Sequence, residues 1–372
     1  MVQRFLPEMG GTETHVAEVA ERLVERDEFD LTVLTTDRSG ALPRRESMQG
    51  YDVLRRRSWP RQGDLYLSPG LAPVVARGGW DLVHIQGVHT FVPPVAMTAA
   101  LSAGIPYVLT FHSGGHSSSV RSGIRNAQWR ALSPLLRRAD HLIAVSRFER
   151  SHFAAATGLP EARFTVVPNG GALPPVSIGL LPQPGRIVSS GRLEHYKGHH
   201  RAIEALPSIR KEIPEADLLI LGSGGYECEL RALAAELGVA DAVQIRQLAP
   251  ADRAGMAREL ASASVMAALS SYEAHPVGIM EAVTLGLPVV GFDVAGTGDL
   301  VEDRLVTGLP LEASTEAVAA ALTSALRATR ARGGAHQPLA LDLPTWETTA
   351  DGVSDVYRGI LSGRYARDLV SR

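Results

Sequence analysis

The chain has 372 residues, of which 45% are hydrophobic and 21% charged, the balance of an ordinary globular protein with enough apolar material for two cores. This composition excludes a disordered tail, a collagen-like repeat and a disulfide-stapled scaffold, because Cys228 is the only cysteine. The net charge of −3 is too small for a dedicated nucleic-acid binder. No secretory leader or membrane-spanning stretch is visible, so we expect a cytoplasmic protein.

The first half of the chain begins with a predicted amphipathic helix. Its N-cap is expected at Thr12, and Val16, Val19 and Leu23 follow at helical spacing. Strand-like runs then follow at residues 31–36, 81–85, 106–111, 141–145 and 163–167. Only three residues precede the loop before this helix, so either the first strand is unusually short or the natural chain starts further upstream.

The second half repeats the alternation of strand and helix. Its strand-like runs lie at residues 186–191, 216–222, 242–246, 264–269 and 288–292. Short apolar strands alternating with helices are typical of parallel sheets that are covered on both faces, so the sequence predicts two Rossmann-like domains.

Residues 169–185 contain four prolines, four glycines and no charge, which marks a linker between the two domains. We therefore expect a first domain over residues 1–176 and a second over 177–345. The last helical segment, residues 346–372, is expected to return to the first domain.

The strongest chemical signal lies in residues 272–292. Glu273 follows a predicted strand, Pro276 suits a first helical turn, and Glu281 lies within the helix. A helix N-terminus attracts phosphates or sugar hydroxyls, and the two flanking carboxylates could hold different parts of one polar ligand.

A second signal is the turn after the strand that ends at Ser190, which carries Arg192 and Lys197. Arginine and lysine together suit a diphosphate, although a solvated basic turn is the alternative. Lys197 is one of only two lysines, beside 35 arginines, which favours a specific role. Gly10 and Gly11 before the first helix would allow close approach to a ligand, and a simple tight turn is the alternative there.

Several of these segments occur in the order seen in glycosyltransferase family 4, and the resemblance spans about residues 3–360. The motifs that carry it are GG at 10–11, TFHSGG at 110–115, VSRFE at 145–149, VVPNG at 166–170, GRLEHYKG at 191–198, LGSGG at 221–225 and the Glu273/Glu281 pair. The resemblance implies a retaining, nucleotide-sugar-dependent enzyme of GT-B architecture, with two Rossmann-like domains, parallel sheets and a deep interdomain cleft.

The resemblance also implies a role for each matching residue. Arg192 and Lys197 match the residues that neutralise the donor diphosphate, and Glu281 matches the acid that binds the ribose. Glu273 and His112 match groups beside the transferred sugar. Two positions depart from the family pattern and leave sugar selectivity open: His275 stands where a phenylalanine is usual, and residues 295–299 replace a Gly-Gly-x-Pro-Glu turn. The matching positions in the glycine loop and at the helix start are Gly10, Gly11, Pro276, Val277 and Gly278.

The expected mechanism is front-face substitution in which the leaving phosphate helps to take the acceptor proton, because only one carboxylate is expected near the sugar. Whether Glu273 is instead a nucleophile stays open. No Asp-x-Asp sequence is present, so we expect no metal and no cofactor other than the nucleoside diphosphate sugar itself. A GT-B nucleotide-sugar isomerase or sugar-phosphate-forming enzyme, and a non-catalytic nucleotide-sugar binder, are the alternatives.

Residues 101–150 carry seven arginines but only two acidic residues. The arginine-rich stretch 121–138 is interpreted either as a solvated helix face or as a surface for an anionic acceptor or a membrane. A hydroxyl acceptor that is anionic or lipid-linked, with peripheral binding at the inner face of the membrane, would suit the second interpretation.

Overall fold

The computed structural model describes residues 1–61, 66–113, 128–129, 131–176, 182–249, 252–334, 336 and 343–363. Two compact units are present, and the chain runs from the first to the second and back. The first unit contains the described residues up to 169 and those from 344 onwards, and the second contains those from 170 to 343. Both are built from parallel strands and helices, which confirms the predicted α/β class.

The first unit contains seven strands among the residues described. These are β1 (Thr32–Asp37), β2 (Arg45–Met48), β3 (Tyr51–Arg57), β4 (Val83–Gln86), β5 (Tyr107–Thr110), β6 (His141–Ala144) and β7 (Phe164–Val166). They form one sheet of order β1-β3-β2 and another of order β4-β5-β6-β7, parallel except between β2 and β3. The helices are Gly11–Glu25, Leu71–Arg77, Val92–Ala103, Arg147–Thr157 and Trp346–Leu361, with further helical residues at 128–129 and 131–136.

The first residues of the chain connect these two sheets, although no strand is assigned there. The amide of Val2 donates to the carbonyl of Leu34 in β1 at 3.1 Å. The amide of Gln86 in β4 donates to the carbonyl of Met1 at 2.8 Å. The N-terminal residues thus occupy the place of a strand between β1 and β4, and join the two sheets by backbone hydrogen bonds.

The first helix differs from the prediction at its start. It begins at Gly11, and its N-cap is Gly10 rather than Thr12. The reason is backbone geometry: Gly10 is extended, and its carbonyl accepts from the amide of Thr14 at 2.9 Å. The predicted apolar face is confirmed, since Val16, Val19 and Leu23 are buried.

Among its described residues, the second unit contains one sheet of six parallel strands in the order β10-β9-β8-β11-β12-β13. The strands are β8 (Arg186–Ser190), β9 (Asp217–Leu221), β10 (Val243–Arg246), β11 (Val265–Ala268), β12 (Val289–Phe292) and β13 (Thr307–Leu309). The helices are His199–Glu212, Glu227–Glu236, Arg253–Ala261, Val277–Thr284, Ala295–Glu302 and Thr315–Ala331. Short 3-10 helices cover Glu161–Arg163 in the first unit and His195–Lys197 and Ala240–Ala242 in the second.

The helix Trp346–Leu361 packs on the first helix of the first unit. Val19 and Leu23 share an apolar cluster with Ala350, Val353 and Val356. At the rim, Arg22 pairs with Glu347 at 2.7 Å and Arg26 pairs with Asp351 at 2.6 Å. The end of the described chain is therefore part of the first core.

Candidate functional site

The strand order of the second unit places the candidate site. After β8, the chain adds β9 and then β10 on one side of β8. It then returns to the other side of β8 and adds β11, β12 and β13 there. Ligands in open parallel sheets bind at such a switch point, outside the carboxyl ends of the strands. The segments that follow β8 and β11 carry Arg192, Lys197, Glu273 and Pro276, so the fold brings these predicted residues to one edge of the sheet.

Close backbone contacts hold the two segments together. Gly198, with φ +73°, connects the 3-10 helix His195–Lys197 to the following helix. A Cβ atom at Gly198 would lie 1.8 Å from the carbonyl oxygen of Leu269, so only glycine fits. The amide of Ser271 donates to the carbonyl of Tyr196 at 2.8 Å. The turn after β8 is thereby fixed against the segment after β11.

Lys197 and Glu273 form the ion pair at the centre of the site. The distance from Nζ to Oε1 is 2.6 Å, and the two side chains are 16% and 17% exposed. Burial by itself would lower the pKa of Lys197, but the Glu273 carboxylate outweighs it and the pKa is raised. Lys197 therefore stays charged, and its ammonium has a fixed position.

Arg192 lies on the solvent side of this pair. Its Nη2 donates to the hydroxyl of Tyr196 at 2.6 Å, and its Nη1 pairs with Glu194. The ring of Tyr196 lies against both cations, with Lys197 Nζ 5.3 Å from its centroid and the Arg192 guanidinium carbon 5.9 Å away. Two positive charges are thus arranged around one aromatic ring, which suits a multiply charged anion.

The helix Val277–Thr284 begins beside these charges. Pro276 is its N-cap in an extended conformation, and no side chain caps the helix. Gly278 has room for a Cβ atom, which would lie 3.8 Å from Ser190 Oγ at the end of β8. The helix start, with its positive dipole end, therefore lies next to the carboxyl end of β8. This is the position from which the backbone at Pro276, Val277 and Gly278 could bind an anionic ligand.

The loop that carries Glu273 is supported by the next loop of the sheet. The amide of Gly296 donates to the carbonyl of Glu273 at 2.8 Å, and a Cβ atom at Gly296 would lie 1.6 Å from the carbonyl oxygen of Ala274. Ala295 beside it has φ +48°. Residues 295–299 differ from the family pattern, but they keep a glycine at position 296, where this contact needs one.

Glu281 lies in the same helix and is only 4% exposed. Its Oε1 accepts from Nη2 of Arg253, the first residue of the helix Arg253–Ala261. The sequence did not single out Arg253, because it is one of 35 arginines and follows an ordinary Asp252 cap. The ion pair holds one oxygen of the Glu281 carboxylate.

His112 belongs to the first unit and has the left-handed backbone angle φ +46°. Its Nε2 lies 2.7 Å from Oε1 of Gln86, and its ring contacts the ring of His15 edge-on at 4.6 Å between centroids. Burial, with the imidazoles of His15, His84 and His89, holds the pKa of His112 well below its usual value. His112 is therefore a neutral hydrogen-bonding group.

The neighbours of His112 were not predicted from the sequence either. His15 is fully buried and bonds through Nδ1 to Oδ1 of Asn169 at 2.8 Å, and burial lowers its pKa to about 4. Gln86 is the last residue of β4 and is buried. His15 was predicted only as part of the first helix, and Gln86 follows the predicted strand at 81–85, since a periodicity does not show which polar residues meet in space.

Glu149, in the VSRFE motif, supports the backbone next to His112. Its Oε1 accepts from the amide of Ser113 at 2.6 Å, and its Oε2 accepts from the amide of Val145 at 3.0 Å. Burial raises the pKa of Glu149, and the hydrogen bonds from Ser113 and Val145 oppose the rise. This carboxyl group is structural, because its oxygens bond to the backbone.

Gly10 is the N-cap of the first helix, and Gly11, which was expected to precede the helix, is its first residue. A Cβ atom at Gly10 would lie 2.7 Å from Oε2 of Glu13, which is buried and pairs with Arg4 at 2.6 Å. Gly11 has open space where a Cβ atom would point. A side chain at Gly10 would displace the Glu13 carboxylate or Arg4, and Gly11 leaves the backbone accessible.

Among the residues described, no group of three His, Cys, Asp or Glu side chains could hold a metal ion. Of the arginine-rich stretch, residues 121–127 and 130 lie outside the described residues, and Arg137 and Arg138 are exposed. In the part of the chain that the structure describes, no helix is long and apolar enough to cross a membrane.

Comparisons with known proteins cover nearly the whole chain. Residues 9–171 match the family model described as Glycosyltransferase Family 4, and residues 177–333 match the one described as Glycosyl transferases group 1. The chain is 28% identical to the GDP-mannose-dependent alpha-(1-6)-phosphatidylinositol monomannoside mannosyltransferase of Mycolicibacterium smegmatis, over 97% of this chain and 98% of the relative.

Solved structures show the same fold. The sucrose-phosphate synthase of Thermosynechococcus elongatus matches with a TM-score of 0.72 at 19% identity, covering 95% of this chain and 94% of that one. Anabaena HepE in complex with UDP and glucose matches with a TM-score of 0.66 at 19% identity, covering 100% and 99% of the two chains.

Proposed function

The chain belongs to glycosyltransferase family 4 and is a nucleotide-sugar glycosyltransferase of the GT-B type, and from this premise we propose that it transfers a hexose-type sugar to a hydroxyl acceptor with retention of configuration. The observation that carries the proposal is the Lys197–Glu273 ion pair beside Arg192 at the carboxyl ends of β8 and β11. Two cations fixed at the start of a helix provide the charge that a departing diphosphate needs.

The proposed reaction is a front-face substitution. The acceptor oxygen bonds to the anomeric carbon while the bond from that carbon to the diphosphate oxygen breaks. The leaving phosphate takes the acceptor proton, and the nucleoside diphosphate departs. Arg192 and Lys197 stabilise the growing negative charge.

The ion pair supports an electrostatic role for Glu273 rather than a nucleophilic one. Its Oε1 accepts from the Lys197 ammonium at 2.6 Å, and such a contact lowers the reactivity of a carboxylate lone pair. A retaining glycosidase, in contrast, uses two carboxylates about 5 Å apart. Within the proposal, Glu273 holds Lys197 in place and stabilises positive charge on the sugar.

The remaining residues complete the proposed donor site. The backbone at Pro276, Val277 and Gly278 binds the donor at the helix start, and the Glu281 carboxylate binds the ribose. Gly10, Gly11 and His112 supply contacts from the first unit, with His112 accepting from a sugar hydroxyl. Because Arg192 and Lys197 already neutralise the diphosphate, the reaction is proposed to need no metal ion.

The identity of the donor base and of the acceptor is a matter for experiment. The mycobacterial relative is named for GDP-mannose and for a phosphatidylinositol mannoside, and HepE was solved with UDP and glucose. The first name supports a lipid-linked acceptor, and for such an acceptor we propose peripheral binding at the inner face of the membrane. We therefore propose a panel of GDP, UDP and ADP sugars with lipid-linked and soluble acceptors.

The test is sugar transfer from this panel in the presence of EDTA, with the anomeric configuration of the product read by proton NMR. We expect turnover with one donor base, an α product from an α-linked donor and no loss of rate with EDTA. Lys197→Ala should lower kcat at least about 100-fold, because removing one donor to a developing oxyanion costs about that much in other enzymes.

Lys211→Ala is the matched control, because Lys211 is the only other lysine and is exposed on the helix His199–Glu212. Its rate should equal that of the wild type. A β product would overturn retention, and inactivation by EDTA would overturn metal independence. Conversion of the donor without transfer would identify an isomerase or a sugar-phosphate-forming enzyme, and nucleotide binding without turnover would identify a binder.

A further inference from the structure

A chain of side-chain hydrogen bonds leads to His112 from the helix Trp346–Leu361. The hydroxyl of Tyr357 in that helix lies 2.6 Å from Nδ1 of His84. The other ring nitrogen of His84, Nε2, lies 2.7 Å from Thr110 Oγ1 and 3.3 Å from Gln86 Nε2. Oε1 of Gln86 lies 2.7 Å from Nε2 of His112. Gln86 thus connects two imidazoles.

The structure places the Gln86 amide with its oxygen towards His112 and its nitrogen towards His84, and this placement gives the series of hydrogen bonds one direction. A neutral imidazole has one N–H donor and one acceptor nitrogen, and an amide oxygen only accepts. Oε1 of Gln86 therefore accepts from His112, whose proton is on Nε2. The amide nitrogen of Gln86 donates to Nε2 of His84, so the proton of His84 is on Nδ1 and is donated to Tyr357.

Resting on the proposed function, we propose that Gln86 is a positioning residue, which fixes His112 as the Nε2–H tautomer and leaves its Nδ1 lone pair to accept a hydrogen bond from a hydroxyl of the donor sugar. Glutamine suits this place because its side chain accepts from one imidazole and donates to the other without adding charge. No structural need in β4 itself calls for an amide at this position, since the strand bonds through its backbone to β5.

Burial strengthens the constraint. Gln86 is 6% exposed, so an unmet amide or imidazole hydrogen bond here would not be replaced fully by water. Flipping the tautomer of His112 would require the amide of Gln86 to turn over and would set its oxygen against the acceptor nitrogen of His84. The hydroxyls of Tyr357 and Thr110 can each donate or accept, so it is the Gln86 amide that selects the tautomer of His84.

The first test reads the tautomers directly in the wild-type protein. In a two-dimensional proton–nitrogen spectrum of protein with 15N-labelled histidine, we expect His112 to carry its proton on Nε2 and His84 on Nδ1. The signals are assigned by their loss in His112→Gln and His84→Gln. A proton on Nδ1 of His112 would overturn the proposal.

The second test separates positioning from support of the fold. Gln86→Leu removes both hydrogen bonds, and we expect kcat/KM to fall about tenfold or more at every pH, measured at temperatures where the variant is still fully folded. Gln86→Glu still accepts from Nε2 of His112, but its charge stabilises the imidazolium and raises the pKa of His112. Protonation of Nδ1 destroys the acceptor, so Gln86→Glu should keep activity at high pH and lose it as the pH falls.

Gln244→Leu, a change of an exposed glutamine in β10, is the matched control and should have the kinetics of the wild type. If His112→Ala lowers kcat/KM but Gln86→Leu does not, the positioning role is wrong and the proposed function stands. If His112→Ala has no effect, the contact between His112 and the sugar is wrong, and the positioning role fails with it. Equal pH profiles for Gln86→Glu and the wild type would also overturn the proposal.

Discussion

Each charged group at the candidate site is held by a neighbour before any ligand binds. Lys197 pairs with Glu273, and Glu281 pairs with Arg253. A preorganised group loses less side-chain entropy when the substrate arrives, and its charge is already in the place where the reaction needs it. At this scale, the proposed function and the stability depend on the same contacts.

The contribution of the Lys197–Glu273 pair to the free energy of unfolding can be measured separately from activity. Glu273→Gln keeps the shape of the side chain but leaves the Lys197 ammonium without its counter-charge in a site where it is only 16% exposed. We expect the free energy of unfolding to fall by about 1–3 kcal/mol. Urea unfolding of the variant and the wild type gives the difference.

The exposed pair Arg231–Glu227 is the control, with side chains that are 54% and 40% exposed. Glu227→Gln should cost less than about 0.5 kcal/mol, since solvent screens such pairs. Equal losses for the two variants would mean that the Lys197–Glu273 pair is no better than a surface contact.

At the scale of the elements, glycine decides how closely the site segments approach. The turn after β8 reaches the segment after β11 only because Gly198 has no side chain. A parallel sheet fixes the strands about 5 Å apart, and the loops that follow them then pack against each other at backbone distance. The position of Lys197 therefore depends on Gly198, a residue that has no side chain and no functional group of its own.

We predict that Gly198→Ala lowers the free energy of unfolding by about 3 kcal/mol. The left-handed angle costs about 1–2 kcal/mol with a side chain present, and the overlap with the Leu269 carbonyl adds about 1–3 kcal/mol. Denaturant unfolding measures the loss, and the affinity for the donor nucleotide should weaken because Lys197 moves.

Gly238 provides the comparison, because it has φ +69° but a Cβ atom added there would meet no other atom within 4 Å. Gly238→Ala should lower the free energy of unfolding only by the cost of the left-handed backbone angle, about 1–2 kcal/mol. If the two alanine variants lost the same stability, the close approach at Leu269 would contribute nothing.

Three strands were not predicted from the sequence, and β3 shows a physical reason. The ten predicted strands are all present, but β2, β3 and β13 were missed. In β3, the inward-facing positions are Tyr51, Val53 and Arg55, and the arginine is only 3% exposed because it pairs with Glu46 and donates to the carbonyl of Leu6. Because a charged residue occupies a buried position, the sequence of β3 does not alternate between apolar and polar residues, and its periodicity did not indicate a strand.

At the scale of the whole molecule, buried neutral histidines make stability depend on pH. The pKa values of His15, His141 and His199 are each lowered to about 4, mainly by burial. In the unfolded chain these groups titrate near about 6.5. Below that pH the unfolded state binds more protons than the folded state, so its free energy falls relative to the folded state.

We therefore predict that the free energy of unfolding is fully retained above about pH 6.5 and falls as the pH decreases to about 4. Each of these histidines contributes of order 1 kcal/mol per pH unit within that window. Urea unfolding at several pH values between about 4.5 and 7.5 measures the slope.

His141→Gln should reduce this slope, because glutamine can still bond to Thr165 Oγ1 but does not titrate. Gln244→Leu, a change at an exposed position that carries no titrating group, should leave the slope as it is. A slope that His141→Gln does not change would mean that this histidine is protonated in the folded protein as well.

Neighbouring residues alone were enough to establish the α/β class, the ten apolar strands and the residue types that gather at the carboxyl ends of β8 and β11. They were enough because periodicity and turn chemistry are local properties of a chain. The packing of the folded chain was needed to show that Lys197 meets Glu273, that Arg253 holds Glu281, and that Gln86 lies between two imidazoles. Those contacts join residues that come from different elements, and no local pattern encodes which side chains a packed sheet brings together.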